Sequence, residues 1–131
     1  MIPVVSPSNA DIVRSMWAAY ERRGLQSILE YAAPDAEWVP YTAGGRRFAT
    51  TADYHAYLDE MDRRQDVVEA TLGEVREYGD SVVVSGRLRL RTHEGISDTS
   101  MHWVHRIRDG KIVYTASYPS LQQAMDAAGL G

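Results

Sequence analysis

Asp109-Gly110 sits between two alternating runs, Met101 to Arg108 and Lys111 to Tyr118. Asp-Gly supplies the left-handed backbone that a two-residue hairpin turn needs, so this segment constrains the fold more than any other. With such a turn, Arg108 pairs with Lys111, Ile107 with Ile112, His105 with Tyr114 and Trp103 with Ala116. Directly paired residues share a face. One face then carries Met101, Trp103, His105, Ile107, Ile112, Tyr114, Ala116 and Tyr118. The other carries His102, Val104, Arg106, Val113, Thr115 and Ser117. The first is apolar enough to be buried, yet it holds an imidazole and two phenols. Buried polar groups need hydrogen-bond partners, and a ligand cavity is one source of them.

The rest of the chain supplies what this hairpin packs on. Residues 1–8 are punctuated by proline and read as an N-terminal arm. Ser8 or Asn9 caps a helix from Ala10 to about Arg23, with Ile12, Val13, Met16, Trp17 and Tyr20 at helical spacing and Gly24 after its end. A short helix follows over Leu25 to Tyr31, then a strand from Ala36 to Tyr41 and a loop containing Gly44-Gly45-Arg46-Arg47. Thr50 or Thr51 caps a third helix, Ala52 to Arg64. Strands are expected over Val67 to Tyr78, Ser81 to Thr92 and Ser97 to Arg108, and a closing helix over Leu121 to Ala128 behind Ser120. Helices first and a strand meander afterwards make an α+β layout, a curved antiparallel sheet folded over N-terminal helices. One domain over residues 9–131 fits the length. A turn at Glu94-Gly95 sets Arg91 against Asp98, Leu88 against Met101 and Gly86 beneath Trp103, where the missing side chain leaves room for the indole.

Composition removes several classes of function. The 131 residues include no cysteine, which excludes disulfides, thiolate metal sites and cysteine nucleophiles. A net charge of −4 argues against a nucleic-acid partner. No apolar run approaches the ~18 residues of a membrane span, and Met1-Ile-Pro-Val-Val-Ser-Pro is not a signal peptide, so a cytoplasmic location is the expectation. Eight Tyr and three Trp stand against one Phe. Aromatic rings with a polar tip suit a wall where an apolar surface meets a ligand.

His105 is the candidate acid or base, because its ordinary pKa of about 6.5 lies near neutrality. The alternative is a core histidine hydrogen-bonded to Tyr114 or to a backbone carbonyl. His102 points to the opposite face, and no pair of histidines has metal-ligand spacing, so no metal site is expected. Asp98 reads as the ion-pair partner of Arg91, and the row Arg87, Arg89, Arg91 as a solvated face balanced by Glu74, Glu77 and Asp98, or as a dimer face. Gly44-Gly45 lacks P-loop spacing.

The stretch Gly24-Leu-Gln-Ser-Ile-Leu-Glu-Tyr-Ala-Ala-Pro-Asp-Ala-Glu-Trp38, the hairpins around Tyr78-Gly-Asp-Ser-Val-Val-Val84 and Arg108-Asp-Gly-Lys-Ile112, and the ending from Tyr118-Pro-Ser-Leu to Ala-Ala-Gly-Leu130 occur in an order that resembles the nuclear transport factor 2-like superfamily, in its SnoaL-like, polyketide-cyclase-type branch. The resemblance implies a cone-shaped α+β barrel, or cystatin-like roll, with a pocket between helices and sheet, often in a homodimer. The superfamily's steroid-isomerase residues fall on Met16, Pro40 and Trp103, so that mechanism is lost. The acidic residue of SnoaL-like cyclases has no counterpart among the inward Trp103, His105 and Tyr118.

Two readings follow. In one, the chain is a cofactor-independent enzyme moving a proton on a lipophilic carbonyl compound, in isomerisation, cyclisation or dehydration. His105 is then the acid or base, and Tyr114, Tyr118 or Tyr20 donates to the developing oxyanion. In the other, the chain binds a small lipophilic ligand without catalysis or serves as a dimeric interaction module. In both ligand readings Met16, Tyr20, Trp38, Tyr54, Leu58, Leu88, Leu90, Met101 and Trp103 line the pocket.

Overall fold

The computed structural model describes residues 8–129, so the arm expected over residues 1–8 lies outside the described residues except for Ser8. Helix α1 (Asn9–Arg23) starts where Ser8 accepts a hydrogen bond from the Asp11 amide. The Glu77 carboxylate accepts from the Ala10 amide at 2.7 Å, which ties the positive end of the helix to the sheet. A 3₁₀ segment over Leu25–Tyr31 leads into β1 (Ala32–Val39). Helix α2 (Thr51–Arg63) is capped by Thr50. Strands β2 (Val67–Tyr78), β3 (Ser81–Thr92), β4 (Gly95–Arg108) and β5 (Lys111–Tyr118) follow, then α3 (Leu121–Ala127), capped by Ser120.

The sheet order is β1-β5-β4-β3-β2. The last four strands are antiparallel, as the meander requires. β1 is the departure, because it runs parallel to β5. It also begins four residues before the expected Ala36, and its pairing is interrupted between Ala32 and Glu37, around Pro34, which has no N–H to give. The mixed α+β architecture, helices against one curved open sheet, is otherwise as the sequence implied.

Two registers differ from expectation. Strand β4 starts at Gly95, opposite Thr92, so His93-Glu94 makes the turn. Every pair on β3 and β4 therefore slides by two residues. An even slide keeps side chains on their faces, but it changes neighbours. Gly86 faces Met101 rather than Trp103, and Asp98 faces Arg89 while bonding Arg87 at 2.7 Å rather than Arg91. The second difference is odd-numbered. Asp109 and Gly110 both have left-handed φ, 52° and 78°, as the expected turn demands, and Arg108–Lys111 and Ile107–Ile112 pair as expected. Then Arg106 pairs with Tyr114, leaving Val113 as an extra residue. This bulge turns the rest of β5 over.

The core lies on both sides of the sheet. On the inner face Val13, Met16 and Trp17 of α1 pack on Val82, Val84, Met101, Trp103 and Ile107. Beside them, α2 packs Tyr54, Tyr57, Leu58 and Met61 on Ala36, Trp38 and Phe48. On the outer face α3 lays Ala124 over Val83 and Val104. Among the described residues no helix is long and apolar enough to cross a membrane.

Candidate functional site

The inner face, α1 and α2 enclose a cavity of about 90 Å³. Trp17 and Tyr20 from α1, Tyr54, Leu58 and Met61 from α2, and Val68, Ala70, Leu88 and Trp103 from the sheet form its walls. Leu25, Ile28, Pro40, Tyr41 and Thr42 complete the rim, and His105, Thr115 and Ser117 form the polar end. None of these residues is Asp, Glu, Lys or Arg. A wider cleft of about 720 Å³ lies beyond Tyr20, Leu25, Leu58, Met61, Val68 and Ala70, which border both spaces, and there Glu21, Arg23, Asp62 and Asp66 bring charge of both signs.

His105 is 2% exposed. Its Nε2 accepts a hydrogen bond from the Trp17 indole N–H at 3.3 Å, and its Nδ1 lies 2.9 Å from Thr115 Oγ1. Burial disfavours the imidazolium and pulls its pKa down to about 3. The ring is therefore uncharged near neutral pH, and both its nitrogens are already engaged. Trp17 also meets Trp103 edge to face, with centroids 4.7 Å apart. Tyr20 lines the cavity, but its hydroxyl is spent: it donates to the Val68 carbonyl at 3.1 Å and accepts from the Ala70 amide at 2.9 Å. Tyr54 stacks on Trp38 at 4.5 Å, and desolvation raises the pKa of its phenol.

The bulge at Val113 corrects the expected site. Tyr114 and Tyr118 face outward, beneath α3, with their hydroxyls 2.9 Å apart. The Arg106 guanidinium lies over the Tyr114 ring and donates to the Ala127 carbonyl. Neither phenol reaches His105. Thr115 and Ser117, expected on the outer face, take the inward positions. Of the expected walls, Tyr20, Tyr54, Leu58, Leu88 and Trp103 border the cavity with His105. Met16, Trp38 and Met101 do not, because each is fully buried as packing, and Leu90 packs against the α2 cluster. Trp38 is also held from behind, its indole N–H donating to Thr51 Oγ1 at 3.2 Å.

Trp17 could have been found, since it lies one helical turn from Val13 and Tyr20 on the apolar face of α1. Thr115 and Ser117 could not, because nothing in their neighbourhood marks the extra residue. Glu77, expected among the outer-face charges, lies beyond a second bulge and caps α1 instead. Among the described residues no three His, Asp or Glu side chains gather as a metal site.

Solved structures share this fold. A nuclear transport factor 2-like protein from Burkholderia thailandensis superposes with a TM-score of 0.75 at 20% identity, over 92% of this chain and 98% of its own. TerC, co-crystallised with polyporic acid, gives 0.71 at 22% identity, over 90% and 95%. A Catenulispora acidiphila protein of ketosteroid isomerase-like fold, in complex with trimethylamine, gives 0.70 at 19% identity, over 92% and 94%. No curated protein matches the chain. The SnoaL-like domain model matches residues 13–115, a span running from within α1 to within β5, and the chain belongs to that family within the nuclear transport factor 2-like superfamily.

Proposed function

We propose that the chain binds a small, neutral, largely apolar molecule between α1, α2 and the sheet. The observation that carries this is an apolar cavity whose polar groups are hydroxyls and an uncharged imidazole, with no ionisable partner for a charged ligand. Burying an unpaired charge there is costly, whereas apolar contact is favourable. At about 90 Å³ the space is smaller than the apolar cavity of about 150 Å³ that holds benzene, but it shares six wall residues with the wider cleft, so a ring of that size has room to extend into it. Two proteins of the same fold are co-crystallised with small organic molecules, which fits a small-molecule site in this fold.

Proton transfer on a carbonyl compound is the competing reading, and it is the weaker one. A base held at about pKa 3, with its free nitrogen occupied by the Trp17 indole, is poorly matched to proton abstraction at neutral pH. Of the phenols expected to help, Tyr114 and Tyr118 face the other way, and the Tyr20 hydroxyl is held by the β2 backbone.

Benzene titrated against the intrinsic tryptophan fluorescence tests the binding reading. Saturable binding is expected, with stability raised by about 1.4 kcal/mol at ten times the Kd. Leu88→Phe, which fills part of the cavity, should abolish binding while the chain stays folded. Binding that survives Leu88→Phe, or no saturable binding by the parent chain, rejects the proposal.

A further inference from the structure

The hydrogen bonds around His105 run in one direction. An indole N–H can only donate, so the nitrogen that receives it, Nε2, carries no hydrogen. An imidazolium would set two N–H groups against each other at that contact. The ring hydrogen therefore sits on Nδ1 and is donated to Thr115 Oγ1 at 2.9 Å. Thr115 lines the cavity, and its own hydroxyl hydrogen has no acceptor among the described residues. A hydroxyl that accepts one hydrogen bond becomes a stronger donor of its own.

We propose that the Trp17–His105–Thr115 chain makes the cavity selective for a neutral hydrogen-bond acceptor, such as a ketone, aldehyde or ester carbonyl, over a donor or a plain hydrocarbon of the same size. The inference rests on the cavity being a ligand site. Thr115 touches the ligand, while Trp17 and His105 are positioning residues that act through it. A donor-only ligand leaves the Thr115 hydrogen unpaired in an apolar enclosure, and an unmade buried hydrogen bond costs more than a made one returns. An acceptor oxygen completes the chain.

Three five-membered rings separate the cases: cyclopentanone accepts, pyrrole donates and cyclopentane does neither. Each is titrated into the intact chain, and the tautomer of His105 is read by nitrogen–proton correlation spectroscopy. The expected result is hydrogen on Nδ1, a bare Nε2, and cyclopentanone bound about five- to tenfold more tightly than the other two rings. Thr115→Val should bring cyclopentanone down to the level of cyclopentane, and Thr115→Ser should keep the preference. Hydrogen on Nε2 overturns the inference, because Thr115 would then spend its hydrogen on His105. Equal binding of the three rings overturns it too, while leaving the ligand site standing. Failure of all three to bind removes the ligand site itself and the selectivity with it. If Thr115→Val does not fold, the tautomer, the three affinities of the parent chain and the Thr115→Ser variant each remain able to refute the inference.

Discussion

The sheet is bent by two bulges that differ in what makes them. In β2 the extra residue is Gly73, set between the pairs Leu72–Gly86 and Glu74–Ser85. There the two backbones come so close that a Cβ on Gly86 would lie 1.9 Å from the Thr71 carbonyl oxygen, and one on Gly73 2.6 Å from that of Ser85. In β5 the extra residue is Val113, and no residue of that strand has a left-handed φ. The first bulge depends on residues with no side chain. The second accepts an ordinary one. Each reverses the faces downstream of it. The β2 bulge sends Glu77 inward to cap α1, and the β5 bulge sends Thr115 inward to meet His105.

Gly86→Ala should break the first bulge, with the largest effect. The obstructing atom is backbone, which cannot swing away, so a loss of about 4 kcal/mol or more is expected. Urea unfolding checks it, and a near-native midpoint would show that β2 and β3 can separate cheaply.

The histidine that Thr115 meets beyond the second bulge is read through pH. The folded His105 stays neutral down to about pH 3, whereas the unfolded residue takes its proton near 6.5. The unfolded state therefore binds more protons between those values. Stability is fully present above 6.5 and falls as the pH drops towards 3, by an amount on the order of several kcal/mol. Replacing His105 by Gln should flatten that part of the stability profile. An unchanged slope would mean that the imidazole is open to water.

The smallest effect is expected at the second bulge itself. Val113→Ala should cost less than about 1 kcal/mol, because the extra residue is half-buried and its backbone is ordinary. A loss as large as that of Gly86→Ala would erase the distinction between the two bulges.

That distinction also explains how much the sequence discloses. Helical spacing and caps locate α1, α2 and α3 nearly to the residue, and the glycine-bearing turns locate β2 to β5. His105, Trp103, Tyr20, Tyr54, Leu58 and Leu88 lie around one cavity, and their inward direction is legible because parity and helical phase are local information. Tyr114, Tyr118, Thr115 and Ser117 are misplaced together by one unmarked residue. Two-residue periodicity carries an error of one along the whole remaining strand. The parallel partnership of β1 with β5 is a tertiary choice that Ala-Ala-Pro-Asp does not announce. Gly86 is legible as a close approach, but of the Thr71 backbone and not of the Trp103 indole.

The hydroxyl of Tyr20 has a further consequence for life in a crowded solution. β2 is one margin of the sheet, and its outward Val68 carbonyl and Ala70 amide are an invitation to a foreign strand. Tyr20 occupies both groups. At the other margin, β1, the Trp38 amide and carbonyl are taken by Phe48, at 2.9 and 2.8 Å. Unpaired margins are where sheets recruit one another into aggregates. A single phenol and a single loop residue blunt that hazard at opposite borders, and the phenol does so while forming a wall of the cavity.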